Sequence, residues 1–257
     1  MTTRRAAFPV SRLIRPAAHA GRLARGWVAR QEALVLVAAL LIVLAVYGFV
    51  ELATELREGE MHDFDTWLLL LLRRPDDRTL LIGPRWVAEA VTDFTALGGT
   101  AVLTTILLCA VGYLALLRRY GAATLVVVAS LGGGLLSLVL KELFARGRPA
   151  VVPHLVTVQG LSFPSGHSMA SAVIYLTLGA LLARFAARRR IRVYVIAVSF
   201  GLTFLIGVTR ICLGVHYPTD VLAGWAAGLA WALVCWMVAR YLQYQGAVEA
   251  PGSSGPR

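Results

Sequence analysis

The chain has 257 residues, 58% of them hydrophobic and only 15% charged, with a mean hydropathy of +0.71, which excludes an ordinary soluble domain and identifies a membrane protein. Three scattered cysteines, Cys109, Cys212 and Cys235, are too few for a disulfide framework or a cysteine-based zinc site, and the low charge density excludes a disordered chain. The balance of 25 Lys+Arg against 14 Asp+Glu gives +11. Nucleic acid is nevertheless not the expected partner, because the arginines collect in short hydrophilic pieces between apolar runs, as in a protein held by anionic headgroups.

Residues 1–30 carry Arg4, Arg5, Arg12, Arg15, Arg22, Arg25 and Arg30 and no acid. The apolar run begins only near Ala33 and is longer than the core of a cleavable leader, so 1–32 reads as a basic cytoplasmic tail. Apolar stretches at 33–50, 98–117, 121–141, 166–186, 191–211 and 219–241 are each about 20 residues, enough to cross a hydrocarbon core about 30 Å thick. The expected fold is therefore all-α and polytopic, with six transmembrane helices in a domain at 33–243 and a flexible cytoplasmic tail at 244–257.

Between the first and second spans lies 51–97, which carries most of the acids, among them Glu51, Asp65, Asp76, Asp77, Glu89 and Asp93. Its apolar run from Trp67 to Leu72 is too short to cross. Trp86, Val87, Ala90, Val91 and Phe94 share one helical face, opposite Glu89 and Asp93, so helices lying at the membrane interface are expected, or a lid over a lipid site. Arg118 and Arg119, and the cluster from Arg184 to Arg192, place their loops in the cytoplasm with both termini, and leave 51–97, 142–165 and 211–218 outside.

From Thr95 to Val248 the acids are Glu142 and Asp220 and the histidines are His154, His167 and His216. Ionisable groups near membrane depth are costly and read as functional by default, although loop positions escape that cost. The first constellation runs from Lys141, the only lysine of the chain, to Arg148-Pro149. Seven residues make two helical turns, so both cations face one way if the helix continues; they serve either an anion or the headgroups. The second, Phe163-Pro164-Ser165-Gly166-His167-Ser168, has the form of a helix start whose free N–H groups and dipole receive an anion, with Gly166 admitting it closely. A plain capped helix start is the alternative, but it does not call for a histidine. The third runs from Thr209-Arg210 through His216 to Pro218 and Asp220. Pro218 suits the first helical turn, which sets His216 just ahead of the helix and Asp220 within reach of its ring, either as a working pair or as a structural one. His154 lies outside these motifs and reads as ordinary.

The charge-based orientation brings all three motifs to the outer side, where three cations, two helix N-termini and a His/Asp pair describe a phosphate site. At these residues the sequence resembles the type-2 phosphatidic acid phosphatase superfamily of integral-membrane lipid phosphatases. Lys141 to Arg148-Pro149 matches the family spacing, Pro164-Ser165-Gly166-His167 matches in full, and Arg210, His216 and Asp220 match in spacing, with Thr209 where the family has serine. The resemblance implies metal-independent hydrolysis of a lipid phosphate or pyrophosphate, such as undecaprenyl pyrophosphate, phosphatidylglycerol phosphate or phosphatidic acid. His216 is then the nucleophile, Asp220 its orienting carboxylate and His167 the acid and base, while Lys141, Arg148, Arg210, Ser165 and Gly166 bind the phosphate. No cofactor is implied, and the three adjacent cations disfavour a metal. A lipid-phosphate transporter or a non-catalytic binder is the alternative; neither has need of the two histidines.

Overall fold

The structure, a computed structural model, describes residues 11–59 and 61–245, with side chains from Glu32 onward. Of the expected tails at 1–32 and 244–257, residues 1–10 and 246–257 lie outside the described residues. Among the described residues eight helices follow one another: α1 (Ser11–Glu58), α2 (His62–Leu71), α3 (Arg85–Ala96), α4 (Thr100–Leu116), α5 (Tyr120–Phe144), α6 (Gly166–Phe185), α7 (Arg189–Cys212) and α8 (Pro218–Tyr244). Among the described residues the only β pairing is an isolated bridge between Arg73 and Leu81.

Among the described residues five helices are long and apolar enough to cross a membrane: Glu32–Glu58 of α1, α5, α6, α7 and α8. A sixth span results if α3 and α4, a bent pair meeting at 45°, are taken together as one crossing. Alone, the 17 residues of α4 rise ~25 Å, short of a core about 30 Å thick, and α3 supplies the remainder. The first long helix also exceeds its expected limits at both ends. It starts at Ser11, inside the segment read as a tail, and continues to Glu58, so 51–58 extends the first span.

The chain divides at Leu40. Before that point, Leu34, Leu36, Val37 and Leu40 of α1 are exposed, as suits a lipid-facing surface. From Leu41 onward the bundle is built around α6, which packs against α5, α7 and α8, while α3 lies on α7, α4 on α5, and α2 on α8. Because lipid tails are as apolar as leucine, helices in a membrane associate through close packing and interhelical hydrogen bonds. Both are present. Gly224 and Gly228 of α8, a small-xxx-small pair, face α6 so closely that a Cβ on either would lie 2.7 Å from the backbone oxygen of Ser165 or Met169. Trp231 Nε1 donates to Ala129 O at 2.8 Å and Trp225 Nε1 to Thr203 O at 3.1 Å, tying α8 to α5 and α7. Tyr175 Oη donates to Leu97 O at 2.8 Å, tying α6 to the α3–α4 break.

Candidate active site

The site forms where α5 and α7 end and α6 and α8 begin. α5 ends at Phe144, and Ala145 takes a left-handed conformation, φ 46°. The helical continuation that would have put Lys141 and Arg148 on one face is therefore absent. Lys141 stays on the last turn of α5, and Arg148 reaches the site from the loop beyond. Lys141 Nζ donates to Leu161 O at 2.8 Å. Arg148 donates to Gln159 O at 2.9 Å, Gly160 O at 3.0 Å and Val215 O at 2.8 Å. These bonds lock the 159–161 loop to the cations. Burial lowers the pKa of Arg148, partly offset by the nearby Asp220 carboxylate; a guanidinium remains charged throughout the physiological range.

The second motif opens α6 as its spacing predicts. Ser165 is the N-cap, and Gly166 and His167 are the first two helical residues. Their N–H groups are among those that no helical carbonyl satisfies. Ser165 N–H instead donates to Asp220 O at 2.9 Å, strapping this helix start to that of α8. A Cβ built on Gly166 would sit 3.6 Å from Lys141 Cε, so the ammonium stem lies beside that opening. Among the described residues the His167 side chain has no hydrogen-bond partner. Its ring sits at the α3–α4 break, 3.4 Å from where a Cβ of Gly98 would stand.

The third motif also takes its expected form. Pro218 is the first residue of α8, Tyr217 its N-cap and Asp220 the third helical residue. Proline at that position loses no intrahelical bond. His216 Nδ1 lies 3.4 Å from Asp220 Oδ2 and 3.3 Å from Ser162 Oγ, and Ser162 Oγ also donates to Asp220 Oδ2. Those acceptors assign the ring proton to Nδ1 and leave the lone pair on Nε2. At Nε2 stands Arg148 Nη1, 3.3 Å away. His216 is buried, and burial pulls its pKa down to about 4, with Asp220 opposing and Arg210 and Arg148 adding to the shift. The imidazole is thus neutral at neutral pH. Arg210, also buried, donates through Nη1 to Thr95 Oγ1 at 3.0 Å, while its Nε has no hydrogen-bond partner among the described residues.

All eight residues singled out in the sequence, Lys141, Arg148, Ser165, Gly166, His167, Arg210, His216 and Asp220, belong to this one end of the bundle. Four further participants escaped the sequence reading. Ser162 bridges the histidine and its carboxylate. Thr95, from α3, holds Arg210. Arg146 sits within the first motif without matching it, and donates to Asp220 Oδ1 at 2.6 Å and Asp65 Oδ2 at 2.7 Å. Asp65, from α2, is fully buried and accepts Thr219 N–H at 3.0 Å and Thr219 Oγ1 at 2.6 Å. The region 51–97, expected as an outer interfacial segment, thus holds the end of α1, α2 and α3, and supplies buried polar groups to the site. Only Arg146, a charged residue between two motif cations, offered any sequence signal. Asp65 lies 81 residues from Arg146, beyond the range of any helical or turn spacing.

Comparison with known proteins agrees with this geometry. A profile of the PAP2 superfamily matches residues 122–244. Over 153 residues the chain is 35% identical to phosphatidylglycerophosphatase B of Bacillus subtilis (strain 168), an alignment covering 58% of this chain and 74% of that protein. It is 39% identical over 105 residues to a lipid A 1-phosphatase of Rhizobium etli, covering 37% of this chain and 40% of that protein. The crystal structure of a transmembrane PAP2 type phosphatidylglycerolphosphate phosphatase from Bacillus subtilis matches with a TM-score of 0.71 and 26% identity, over 78% of this chain and 96% of that one. With the motif residues gathered at one end of a multi-pass helical bundle, these matches establish that the chain belongs to the PAP2 superfamily and is a membrane lipid phosphatase.

Proposed function

We propose that the enzyme hydrolyses a phosphomonoester or diphosphate lipid without a metal, through a phosphohistidine on His216. One observation carries this reading: Nδ1 of His216 faces the Asp220 carboxylate, while Nε2 faces Arg148 at 3.3 Å, so a phosphoryl group held by that guanidinium meets the lone pair of the ring. His216 Nε2 attacks phosphorus, the phosphorus–oxygen bond to the lipid breaks, and His167 gives its proton to the departing oxygen. Asp220 keeps the ring in the reactive tautomer and balances the positive charge it gains. His167 then takes a proton from water, the oxygen of that water attacks phosphorus, the phosphorus–nitrogen bond breaks, and orthophosphate leaves. Lys141, Arg148, Arg210 with its unpartnered Nε, Ser165 and the N–H of Gly166 bind the phosphoryl oxygens, most tightly as charge spreads over them in the transition state. The three cations supply the positive field that a divalent ion supplies in other phosphatases, and they would repel such an ion from the same place.

The arginine-rich loops at 118–119 and 184–192 belong in the cytoplasm by the positive-inside rule, which puts both termini inside and the site at the outer surface of the inner membrane. A lipid then presents its headgroup with its tail still in the bilayer. The matched relatives are named for phosphatidylglycerol phosphate and lipid A, and phosphatidylglycerol phosphate is accordingly the leading substrate, ahead of undecaprenyl pyrophosphate and phosphatidic acid. The test is phosphate release by detergent-solubilised protein in excess EDTA, across those lipids and a soluble phosphomonoester, with His216→Ala in parallel. Release that survives EDTA and vanishes in His216→Ala is expected. Full turnover by His216→Ala would overturn the nucleophile assignment, and absence of release by the native protein from every lipid would favour a lipid-phosphate transporter or binder.

A further inference from the structure

We propose that Arg146 and Asp65 are positioning residues of the reaction, forming with Asp220 a buried carboxylate–guanidinium–carboxylate bridge that sets how Asp220 presents its charge to His216. The proposal rests on the reading of His216 as nucleophile.

The bridge is closed at every point. Arg146 Nη1 donates to Asp220 Oδ1 at 2.6 Å and to Thr219 Oγ1 at 2.7 Å, and Nη2 donates to Asp65 Oδ2 at 2.7 Å. The guanidinium also stacks on the Tyr217 ring, 4.1 Å from its centroid. Both carboxylates are fully buried, and the Arg146 side chain is only 12% exposed. The carbonyl of Arg146 accepts Ser162 N–H at 2.8 Å, which holds the serine that bridges His216 and Asp220. Since Oδ1 of Asp220 is taken by Arg146, Oδ2 is the oxygen left for His216, Ser162 and Tyr217 N–H. The planar fork of arginine suits this task, since one guanidinium addresses two carboxylates in fixed directions.

Stability alone does not account for the arrangement. Three ions withdrawn from water are costly, and a well-packed apolar cluster of similar volume is often as stable. The charge sum has a direct meaning for the reaction. Two carboxylates and one guanidinium leave a single net negative charge beside a ring that becomes positive when phosphorus is attacked. Without Asp65, the bridge is neutral and the imidazolium loses its counter-charge. Without Arg146, two negative charges face the ring and Asp220 is free to rotate.

The two losses therefore push His216 in opposite directions. Asp65→Asn disfavours the imidazolium and moves the acid limb of kcat/KM to lower pH; Arg146→Gln favours it and moves the limb to higher pH. The other charged or titratable groups around His216 are Lys141 from α5, Arg148 from its loop, His167 from α6, Arg210 from α7 and Asp220 from α8, and all are unchanged in both variants. The substrate titrates identically throughout, so a difference between variants belongs to the protein.

The experiment measures kcat/KM against pH for wild type, Asp65→Asn, Arg146→Gln, Arg146→Lys and His216→Ala, with phosphatidic acid in detergent micelles and thermal unfolding in parallel. The two charge variants should lose about 10–100-fold in kcat, the range typical of groups that orient a working histidine, with KM within about threefold of wild type and with limbs displaced in opposite directions. Arg146→Lys should restore the wild-type limb but only part of kcat, because one ammonium cannot reproduce the fork. If His216→Ala is inactive while both charge variants keep the wild-type limb, or move it the same way, the bridge is merely structural and the proposal fails. If His216→Ala is active, the reading of the nucleophile fails first. Should Arg146→Gln not fold, Asp65→Asn decides: a limb moved to lower pH supports the proposal and an unmoved one overturns it.

Discussion

Gly224→Ala tests whether the separation of α6 and α8 sets the rate. A methyl group at this position would lie 2.7 Å from Ser165 O and 3.0 Å from Ser168 Cβ, about 0.7 Å inside the 3.4 Å at which ordinary contact begins. The oxygen it meets is backbone, so relief requires one helix start to move. Ser165 caps the helix that carries His167, while Gly224 is one turn beyond Asp220 on the helix that follows His216. The displacement therefore separates the two histidines. Overpacking costs about 1–3 kcal/mol, and replacing glycine by alanine in a helix returns about 1 kcal/mol, leaving a net destabilisation of roughly 0–2 kcal/mol. At about 2–4 °C per kcal/mol for a chain of this size, Tm should fall by only a few degrees. Turnover should suffer far more, because a shift of about 1 Å in reacting groups costs on the order of 100-fold; a loss of about tenfold or more in kcat is expected. Gly228→Ala is the internal control, one turn deeper, where a Cβ would meet Ala172 Cβ and Met169 O at 2.7 Å. It should lower Tm comparably and change kcat by much less. The assay is phosphate release beside thermal unfolding in one detergent. Wild-type kcat in Gly224→Ala, or an equal loss of kcat in Gly228→Ala, would refute the reasoning.

Other consequences follow from the same contacts. Because burial holds the pKa of His216 near 4 instead of its ordinary 6.5, the folded protein binds fewer protons than the unfolded chain between those values. Its contribution to stability is complete above about pH 6.5 and is lost as pH falls toward 4, so Tm should decline through that window more steeply in wild type than in His216→Gln. Lys141→Ala removes one of the cations proposed to hold the phosphate and should cost about 10²–10³ in kcat, by analogy with loss of an oxyanion donor; a loss under threefold would remove Lys141 from the site. Arg73, buried in the segment between α2 and α3, donates to Cys212 O at 2.9 Å and Pro153 O at 3.2 Å. Arg73→Met should destabilise by about 2–4 kcal/mol through lost charged hydrogen bonds, and full thermal stability in that variant would show those bonds to be idle. Arg74 and Asp76 form an exposed pair at 2.7 Å, and Arg74→Ala should leave both Tm and turnover unchanged, since such pairs are worth little.

Much of the molecule is legible in the sequence because the governing rules are local. Hydrophobic runs of about 20 residues mark spans, and proline, small residues and glycine mark helix starts, so α6 and α8 begin where the Pro164-Ser165-Gly166 and Tyr217-Pro218 patterns put them. The short separation of His216 and Asp220 is local too, and the pair meets as expected. Arg148 shows the limit of that reasoning. Seven residues from Lys141 implied a shared helical face, but Ala145 turns left-handed and the two cations converge through a loop instead. The same holds for 98–117, which hydropathy marks as one spanning run, whereas the chain places there α4 alone, set at 45° to the amphipathic α3.

Composition and local spacing alone give the membrane class, the apolar runs long enough to span and the helix starts at Ser165-Gly166 and Tyr217-Pro218, since each rests on a run of residues or on spacing within one or two turns. The partners of the motif residues emerge only when the helices pack: Asp65 on Arg146 and Thr219, Thr95 on Arg210, Ser162 between His216 and Asp220. Such partnerships span tens of residues and depend on which faces of α2, α3 and α8 meet. A buried charge must find its counter-charge, but nothing in the order of residues says where along the chain that partner stands.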